Sequence, residues 1–162
     1  MILIALGANL PSRVGAPADT LHAAIASLGA AGITVESQSG FYRSPAWPDP
    51  TAPAFVNAVV RATTALPPAE LLGVMHAIED AFGRERGERN APRTLDLDLI
   101  DYDGRIERGP PELPHPRAAS RAFVLVPLRD VAPKWSHPVS RRPVSELLAA
   151  LPETEVTLVE RL

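Results

Sequence analysis

The sequence has 162 residues, of which 46% are hydrophobic and 22% are charged, proportions that are ordinary for a soluble globular protein. A net charge of −3 and a pI near 5.8 argue against a general nucleic-acid or anionic-membrane binder, since such proteins are usually basic. The absence of cysteine excludes a disulfide framework and thiolate metal sites, and with no signal-peptide pattern it favours a cytoplasmic protein with one domain over residues 1–162.

Strands and helices alternate in the first part of the chain. Residues 1–6 predict a buried apolar strand, and apolar residues at helical spacing follow from Pro17. Residues 33–43 are rich in β-forming residues, and Gly40 predicts either a bulge or the close approach of another segment. Residues 54–64 alternate between two faces, which is typical of a strand.

The second part continues with a helix over 67–83 and an acidic strand within residues 92–104. Residues 121–133 predict a helix that is interrupted near Pro127. The remaining predicted elements are a short helix over 144–151 and a last edge strand over 154–162. The order βαββαβ predicts an α/β protein of the α+β plait type.

Asp96 and Asp98 lie two residues apart on the acidic strand, so both side chains leave the same face of the sheet. Two carboxylates about 6 Å apart repel each other by roughly 3 kcal/mol at an effective dielectric constant near 20, and a bound cation removes this cost. Oxygen ligands without a nearby histidine or cysteine favour Mg²⁺. A solvated acidic face is the alternative for an isolated pair. Asp101 has the opposite strand parity, so we do not expect a third ligand there.

Four arginines lie in the loop before the acidic strand, namely Arg84, Arg86, Arg89 and Arg93. Guanidinium groups match the geometry of phosphate oxygens, so this loop could close over a polyphosphate. The loop also contains glutamates, and a solvated charged loop is the alternative. Enzymes that transfer phosphoryl groups commonly use Mg²⁺ together with arginine, and this combination favours a site for a nucleotide and a metal.

Other chemical motifs are absent from the sequence, which has no glycine-rich phosphate loop and no metalloprotease or serine-hydrolase motif. Asn57 is unusual in the middle of a strand, because asparagine is depleted there and a buried amide needs partners. Its amide could read the edge of a planar heterocycle on which Phe55 and Phe123 stack. A place in the hydrophobic core is the alternative for both phenylalanines, and a structural role or simple exposure to solvent is the alternative for His115.

Five motifs occur in a fixed order over nearly the whole chain. They are LGANL (6–10), FYRSP (41–45), FVNAVV (55–60), IEDAFGRERGERNAPRTLDLDLI (78–100) and PHPRAASRAFVLVPLRDVAP (114–133). By these motifs the chain resembles the 6-hydroxymethyl-7,8-dihydropterin pyrophosphokinases of folate biosynthesis. The resemblance implies a ferredoxin-like βαββαβ core with an antiparallel sheet, extra C-terminal helices and an edge strand.

The resemblance also implies an activity, which is the Mg²⁺-dependent transfer of pyrophosphate from ATP to 6-hydroxymethyl-7,8-dihydropterin. The products would be AMP and the pterin diphosphate. The implied protein is a monomer that acts on small molecules, without a nucleic-acid or membrane partner.

Individual residues take roles by the same resemblance. Asp96 and Asp98 would hold two magnesium ions that bridge the triphosphate. Arg84 and Arg93 would stabilise charge on the transferred group. The implied pterin site consists of Ser44, Pro45, Trp47, Phe55, Asn57 and Phe123. The implied ATP site consists of Leu72, His76, Glu79, Arg86, Leu99, His115 and Arg121.

The sequence departs from the family pattern in three respects. Ala8 stands where serine is usual, Asn90 stands where some members have a tryptophan that seals the site, and the arginine loop is a residue shorter. We therefore expect closure of the site to differ. Two other classes stay open, namely another D-x-D metal-dependent nucleotidyl- or glycosyltransferase and a non-enzymatic plait-fold binding module. Dihydropterin-dependent consumption of ATP would distinguish all three.

Overall fold

In a computed structural model, which describes residues 1–87 and 91–162, the chain forms a six-stranded sheet with helices on both faces. The strands are β1 (Ile2–Ala8), β2 (Thr34–Gln38), β3 (Tyr42–Ser44), β4 (Phe55–Thr63), β5 (Asp96–Tyr102) and β6 (Glu160–Arg161). The helices are α1 (Pro17–Ala30), α2 (Pro68–Ala81), α3 (Ala122–Val131), α4 (Val144–Ala150) and α5 (Glu153–Thr157), with a 3₁₀ turn at Ala118–Ser120. None of the helices in these described ranges is long and apolar enough to cross a membrane.

The sheet is antiparallel, and β1 lies between the edge strand β5 and strand β4. β2 and β3 lie end to end along β4, so that together they act as one interrupted strand, and β6 pairs with the outer side of β3. Counted in this way, the core has the order βαββαβ that the sequence predicts. The predicted ferredoxin-like plait with C-terminal additions is therefore confirmed.

Each face of the sheet carries its own hydrophobic core. On the first face, Ile4 and Leu6 of β1 pack with α1 and α2. On the opposite face, Leu3 of β1, Val59 of β4 and Ile100 of β5 pack with α3 and α4. β1 is covered on both sides, which explains why its sequence is continuously apolar instead of alternating.

The predicted interruption of the helix near Pro127 is wrong, because α3 runs through this proline without a break. A proline inside a helix removes one backbone hydrogen bond and crowds the preceding turn. Here Pro127 is buried between Val126 and Leu128, which are also buried. Packing against the sheet therefore outweighs the local preference.

The predicted edge strand over 154–162 is only partly right. Its first half forms α5, where the N–H groups of Glu155 and Val156 donate to the carbonyl of Pro152 at 3.0 and 3.3 Å. Only Glu160 and Arg161 pair as a strand, with β3. A proline directly before acidic residues favours the start of a helix, and this local signal prevails over the β-branched residues.

Gly40 lies in the gap between β2 and β3, and of the two alternatives predicted for it the close approach is confirmed. The Gly40 N–H donates to Asp130 at 3.1 Å. A Cβ atom at Gly40 would lie 2.7 Å from the guanidinium carbon of Arg161. The glycine is thus explained by the close approach of the C-terminal segment.

Asp101 does not follow the strict alternation that the sequence suggests. The pairing of β1 with β5 shifts register between Leu3 and Ile4, which changes the side on which Asp101 lies. Its carboxylate is buried and accepts hydrogen bonds from the Trp135 indole N–H at 2.8 Å and the Gly104 N–H at 3.0 Å. The prediction that Asp101 lies on the opposite face from Asp98 is therefore wrong. Both oxygens of the Asp101 carboxylate nevertheless accept hydrogen bonds within the protein.

Candidate active site

Two cavities meet at the start of β5, and Asp96 and Asp98 line both of them. The larger cavity has a volume of about 630 Å³ and the smaller one about 350 Å³. Volumes of this size are typical of sites for small molecules. The pair of carboxylates therefore lies where molecules in the two cavities would come into contact.

The floor of the larger cavity is set by a row of residues across three neighbouring strands. Gly7 in β1 lies opposite Asn57 in β4 and opposite Asp96 in β5. A Cβ atom at Gly7 would lie 3.4 Å from Asn57 Oδ1 and 3.7 Å from the Phe55 ring, so the glycine leaves open space between its neighbours. The antiparallel register thus holds an amide and a carboxylate at fixed positions on either side of a bare backbone.

Asp96 is held by two arginines. One of its oxygens accepts from Arg84 Nη1 and the other accepts from Arg93 Nη1 at 2.8 Å. These contacts join the two ends of the arginine loop to the first residue of β5. In the free protein the guanidinium groups provide the positive charge that balances this carboxylate.

Among residues 1–87 and 91–162, no arginine makes a contact of this kind with Asp98. The nearest basic nitrogen of these residues is His115 Nε2, which lies 3.9 Å from the Asp98 carboxylate and is beyond hydrogen-bond distance. Partial withdrawal from water, followed by the charge of Asp96, raises the pKa of Asp98 to about 7, and the charge of Arg121 acts in the opposite direction. The ionised carboxylate is therefore poorly compensated, which is the condition that a divalent cation would relieve.

Glu79, in helix α2, holds the first arginines of the arginine loop. It is 2% exposed, and its carboxylate accepts from Arg84 at 2.7 Å, from the Leu97 N–H at 2.8 Å and from Arg86 at 3.1 Å. Burial raises the pKa of this carboxyl, while the bond from Leu97 and the charge of Arg84 oppose the rise. Glu79 thereby links helix α2, strand β5 and the side chains of Arg84 and Arg86 in one network.

Asn9 is a buried residue at the site that sequence reasoning missed. Its Oδ1 accepts from the Arg93 N–H at 2.7 Å, and its Nδ2 donates to the carbonyl of Pro53 at 3.1 Å. The N–H groups of Asn9 and Leu10 both donate to the Arg93 carbonyl, at 3.0 and 3.1 Å. Asn9 therefore fixes the backbone from which Arg93 reaches Asp96. Asparagine in a turn is common, so the sequence alone carries no signal for this role.

Six of the seven residues that were predicted to form the ATP site line the smaller cavity. They are Leu72, His76, Glu79, Arg86, Leu99 and His115, while Arg121 lines the larger cavity instead. Two prolines and a glutamate of the loop around His115 also line this cavity and were not predicted, namely Pro111, Glu112 and Pro116.

His115 lines the smaller cavity with a defined orientation. Its Nδ1 accepts from the Arg117 N–H at 3.1 Å. Burial and the charge of Arg121 lower the pKa of His115, so the imidazole is neutral near pH 7. A neutral ring that accepts at Nδ1 carries its proton on Nε2, the nitrogen that faces Asp98.

The larger cavity contains all six residues predicted for the pterin, which are Ser44, Pro45, Trp47, Phe55, Asn57 and Phe123. Asn57 is buried, and its Nδ2 donates to Ser44 Oγ at 2.8 Å. This bond fixes the orientation of the amide and leaves its oxygen toward Gly7. Sequence reasoning missed Arg117, Ser120, Glu155, Leu158 and Val159, which also line this cavity.

The donor set suits a hard divalent cation. Within the described ranges, residues 1–87 and 91–162, no three histidine, cysteine, aspartate or glutamate side chains converge on one point. A metal at Asp96 and Asp98 would thus take its other ligands from water and substrate, which is the usual manner of Mg²⁺ with phosphates. The residues present therefore fit Mg²⁺.

The departures from the family pattern have different outcomes in the structure. Ala8 is fully buried in the hydrophobic core beside α1 and α2, so its methyl group suits its surroundings. Asn90 and Arg89 lie outside the described residues, and the expected difference in closure stays a prediction.

Known proteins with related sequences share one family. A sequence model of the 7,8-dihydro-6-hydroxymethylpterin-pyrophosphokinase (HPPK) family matches residues 3–133. Two curated relatives carry the name 2-amino-4-hydroxy-6-hydroxymethyldihydropteridine pyrophosphokinase. The protein from Synechocystis is 43% identical over 95% of this chain and 77% of its own length. The protein from Methylorubrum extorquens is 39% identical over 94% of this chain and 96% of its own length. The chain therefore belongs to the HPPK family.

A solved structure shows the same fold. The crystal structure of Plasmodium falciparum HPPK-DHPS superimposes with a TM-score of 0.66 at 13% sequence identity. The match covers 91% of this chain and 44% of the Plasmodium chain, so the present chain spans under half of that protein. At this identity the likeness supports the fold alone.

The two aspartates should respond differently to removal of their charge in the absence of metal. Asp96→Asn weakens the contacts of Arg84 and Arg93, so the free energy of unfolding should fall by about 1–3 kcal/mol. Asp98→Asn removes a poorly compensated charge beside Asp96, so stability should hold or rise. Urea unfolding in the presence of a chelator measures both. An equal loss in the two variants would contradict the asymmetry.

Proposed function

We propose that this member of the HPPK family transfers pyrophosphate from ATP to the hydroxymethyl group of 6-hydroxymethyl-7,8-dihydropterin, in folate biosynthesis. Residues 1–162 would then form one pyrophosphokinase domain. The observation that carries the proposal is the meeting of two cavities at Asp96 and Asp98, one of them lined by aromatic rings and a buried amide. The names of the curated relatives support the same reaction.

The larger cavity suits a flat heterocycle. A pterin has apolar faces and an edge rich in donors and acceptors, so it needs rings to stack on and an oriented amide to pair with. Phe55 and Phe123 supply the rings, and Asn57, oriented by Ser44, supplies the amide. A D-x-D glycosyltransferase or a nucleic-acid-binding plait would not require this combination in one cavity.

ATP would occupy the smaller cavity, with its triphosphate directed toward Asp96 and Asp98. Leu72 and Leu99 offer apolar surface for the base, and His76 and His115 offer nitrogen donors or acceptors. Arg86 from the arginine loop and Arg121 from the start of α3 would contact phosphate oxygens. The reacting groups of both substrates would then meet between the cavities.

Asp96 and Asp98 would hold two Mg²⁺ ions together with the phosphate oxygens. Bound there, the ions would supply neutralisation of charge on the triphosphate and on the leaving AMP. The carboxylates contribute anionic ligands on one rigid strand, and their separation is fixed by the period of that strand.

Arg84 and Arg93 would stabilise the pyrophosphoryl group during transfer. Both guanidinium groups contact Asp96 in the free protein, so they lie beside the place where the transferred group must pass. Glu79 holds Arg84 and Asn9 holds the backbone of Arg93, so the charges are positioned before the substrate arrives. Positioned charge of this kind acts mainly on the transition state.

The central experiment identifies the products. Incubation of the protein with ATP, Mg²⁺ and 6-hydroxymethyl-7,8-dihydropterin should yield AMP and the pterin diphosphate in equal amounts, because the acceptor attacks the β-phosphorus. Chromatography with ³¹P NMR measures both products, and omission of Mg²⁺ should abolish them. Formation of ADP and a pterin monophosphate would overturn the reaction, and the absence of any pterin-dependent product would overturn the function.

Asn57→Ala should weaken binding of the pterin and spare ATP. Removal of the amide leaves polar groups of the ring edge without partners, at a cost of roughly 1–3 kcal/mol. Calorimetry with 6-hydroxymethyl-7,8-dihydropterin in the presence of α,β-methylene-ATP, whose α–β bridge cannot be cleaved, gives this value. Titration with the ATP analogue alone is the control, and equal weakening of both ligands would make Asn57 a structural residue.

Arg84→Ala and Arg93→Ala should lower kcat more than they raise the KM for ATP, since charge on the transferred group is felt most in the transition state. Arg86→Ala provides a matched change in the same loop, because Arg86 bonds to Glu79 and Asp80. It should act mainly on the KM. Single-turnover kinetics separates the two effects. A pure KM effect in all three variants would mean that the arginines bind ATP in the ground state and do not stabilise the transition state.

A further inference from the structure

The C-terminal segment, residues 153–162, forms part of the wall of the larger cavity. Glu155, Leu158 and Val159 line this cavity together with the six predicted pterin residues. The segment lies beyond residues 3–133, which the family model matches. The motifs that carry the resemblance therefore give no role to it.

Specific contacts hold the segment in place on two sides. On one side β6 pairs with β3, and the Leu162 N–H donates to the carbonyl of Phe41 at 2.9 Å. On the other side Val156 and Val159 pack against the core that contains α3. Strand β3 ends at Ser44 and α3 begins beside Phe123, so the segment bridges the two sides of the proposed pterin site.

Three large apolar side chains are exposed around this one cavity. Trp47 is 74% exposed, Leu158 is 54% exposed and Phe123 is 37% exposed. Exposed apolar side chains that gather at a cavity are typical of a binding surface, because a ligand with apolar faces would cover them. They come from the loop after β3, from the segment and from α3 respectively.

We propose that the C-terminal segment is the outer wall of the pterin site, where Leu158 contacts the bound dihydropterin and keeps water from its ring. This inference rests on the proposed function. The residues of the segment do not belong to the described lining of the smaller cavity, so the contact should affect the pterin and leave ATP unaffected.

A pair of leucines in the segment provides the test. Leu158 lines the cavity, whereas Leu162 is 65% exposed and is absent from the described lining. The backbone bond of Leu162 survives truncation of its side chain. Leu158→Ala and Leu162→Ala therefore remove the same atoms from exposed positions of one segment, and neither change should unfold the protein.

Each variant is titrated by calorimetry with 6-hydroxymethyl-7,8-dihydropterin in the presence of α,β-methylene-ATP and Mg²⁺, and with the ATP analogue alone. Leu158→Ala should weaken binding of the pterin about threefold to tenfold through lost apolar contact, and Leu162→Ala should match the unmodified protein. The affinity for the ATP analogue should stay constant in both.

The outcomes separate this inference from the proposed function. If the unmodified protein does not bind the pterin, the proposed function fails and the inference fails with it. If it does bind, and Leu158→Ala matches Leu162→Ala, the inference alone is overturned. A parallel loss of affinity for the ATP analogue would show that the segment only supports the fold, and would also overturn the inference.

Discussion

The proposed site depends on two carboxylates that one strand holds on the same face of the sheet. The strand pairing fixes the backbone positions of Asp96 and Asp98 and directs both side chains to one face, so the two carboxylates stay close enough to repel each other. The surrounding residues meet this constraint with positive charge. Arg84 and Arg93 contact Asp96, whereas no basic group of the described residues lies within hydrogen-bond distance of Asp98, and burial followed by the charge of Asp96 raises the pKa of Asp98.

The arginines are themselves held by buried polar groups. Glu79 is buried in α2 and bonds to Arg84, and Asn9 follows β1 and bonds to the backbone of Arg93. The charged loop is therefore attached at both ends to the sheet and to helix α2, which the sequence alone could not decide because a solvated loop was the alternative. These contacts at the two ends of the loop position its positive charges beside the Asp96 carboxylate.

The fold and the charged part of the site could be predicted because they follow from local periodicity. Alternation along β5 places Asp96 with Asp98, and alternation along β4 places Asn57 with Phe55. Features that arise from contacts distant in sequence could not be predicted. The register shift that moves Asp101, the capture of Arg93 by Asn9 and the arrival of Leu158 at the cavity each depend on how separate elements pack.

The two parts of the site differ in how they use the scaffold. Asp96 and Asn57 stand on β5 and β4, the two strands that pair with β1, and lie on either side of Gly7, so backbone hydrogen bonds set their separation before any ligand binds. Trp47 and Leu158, in contrast, lie outside the strands and expose apolar surface, which gains favourable burial only when a ligand covers it. The charged groups are therefore positioned before the substrate binds, while much of the apolar contribution to affinity arises only when the flat pterin ring covers the exposed side chains. This division suits a reaction in which phosphate chemistry requires fixed geometry and the acceptor must enter and leave in each turnover.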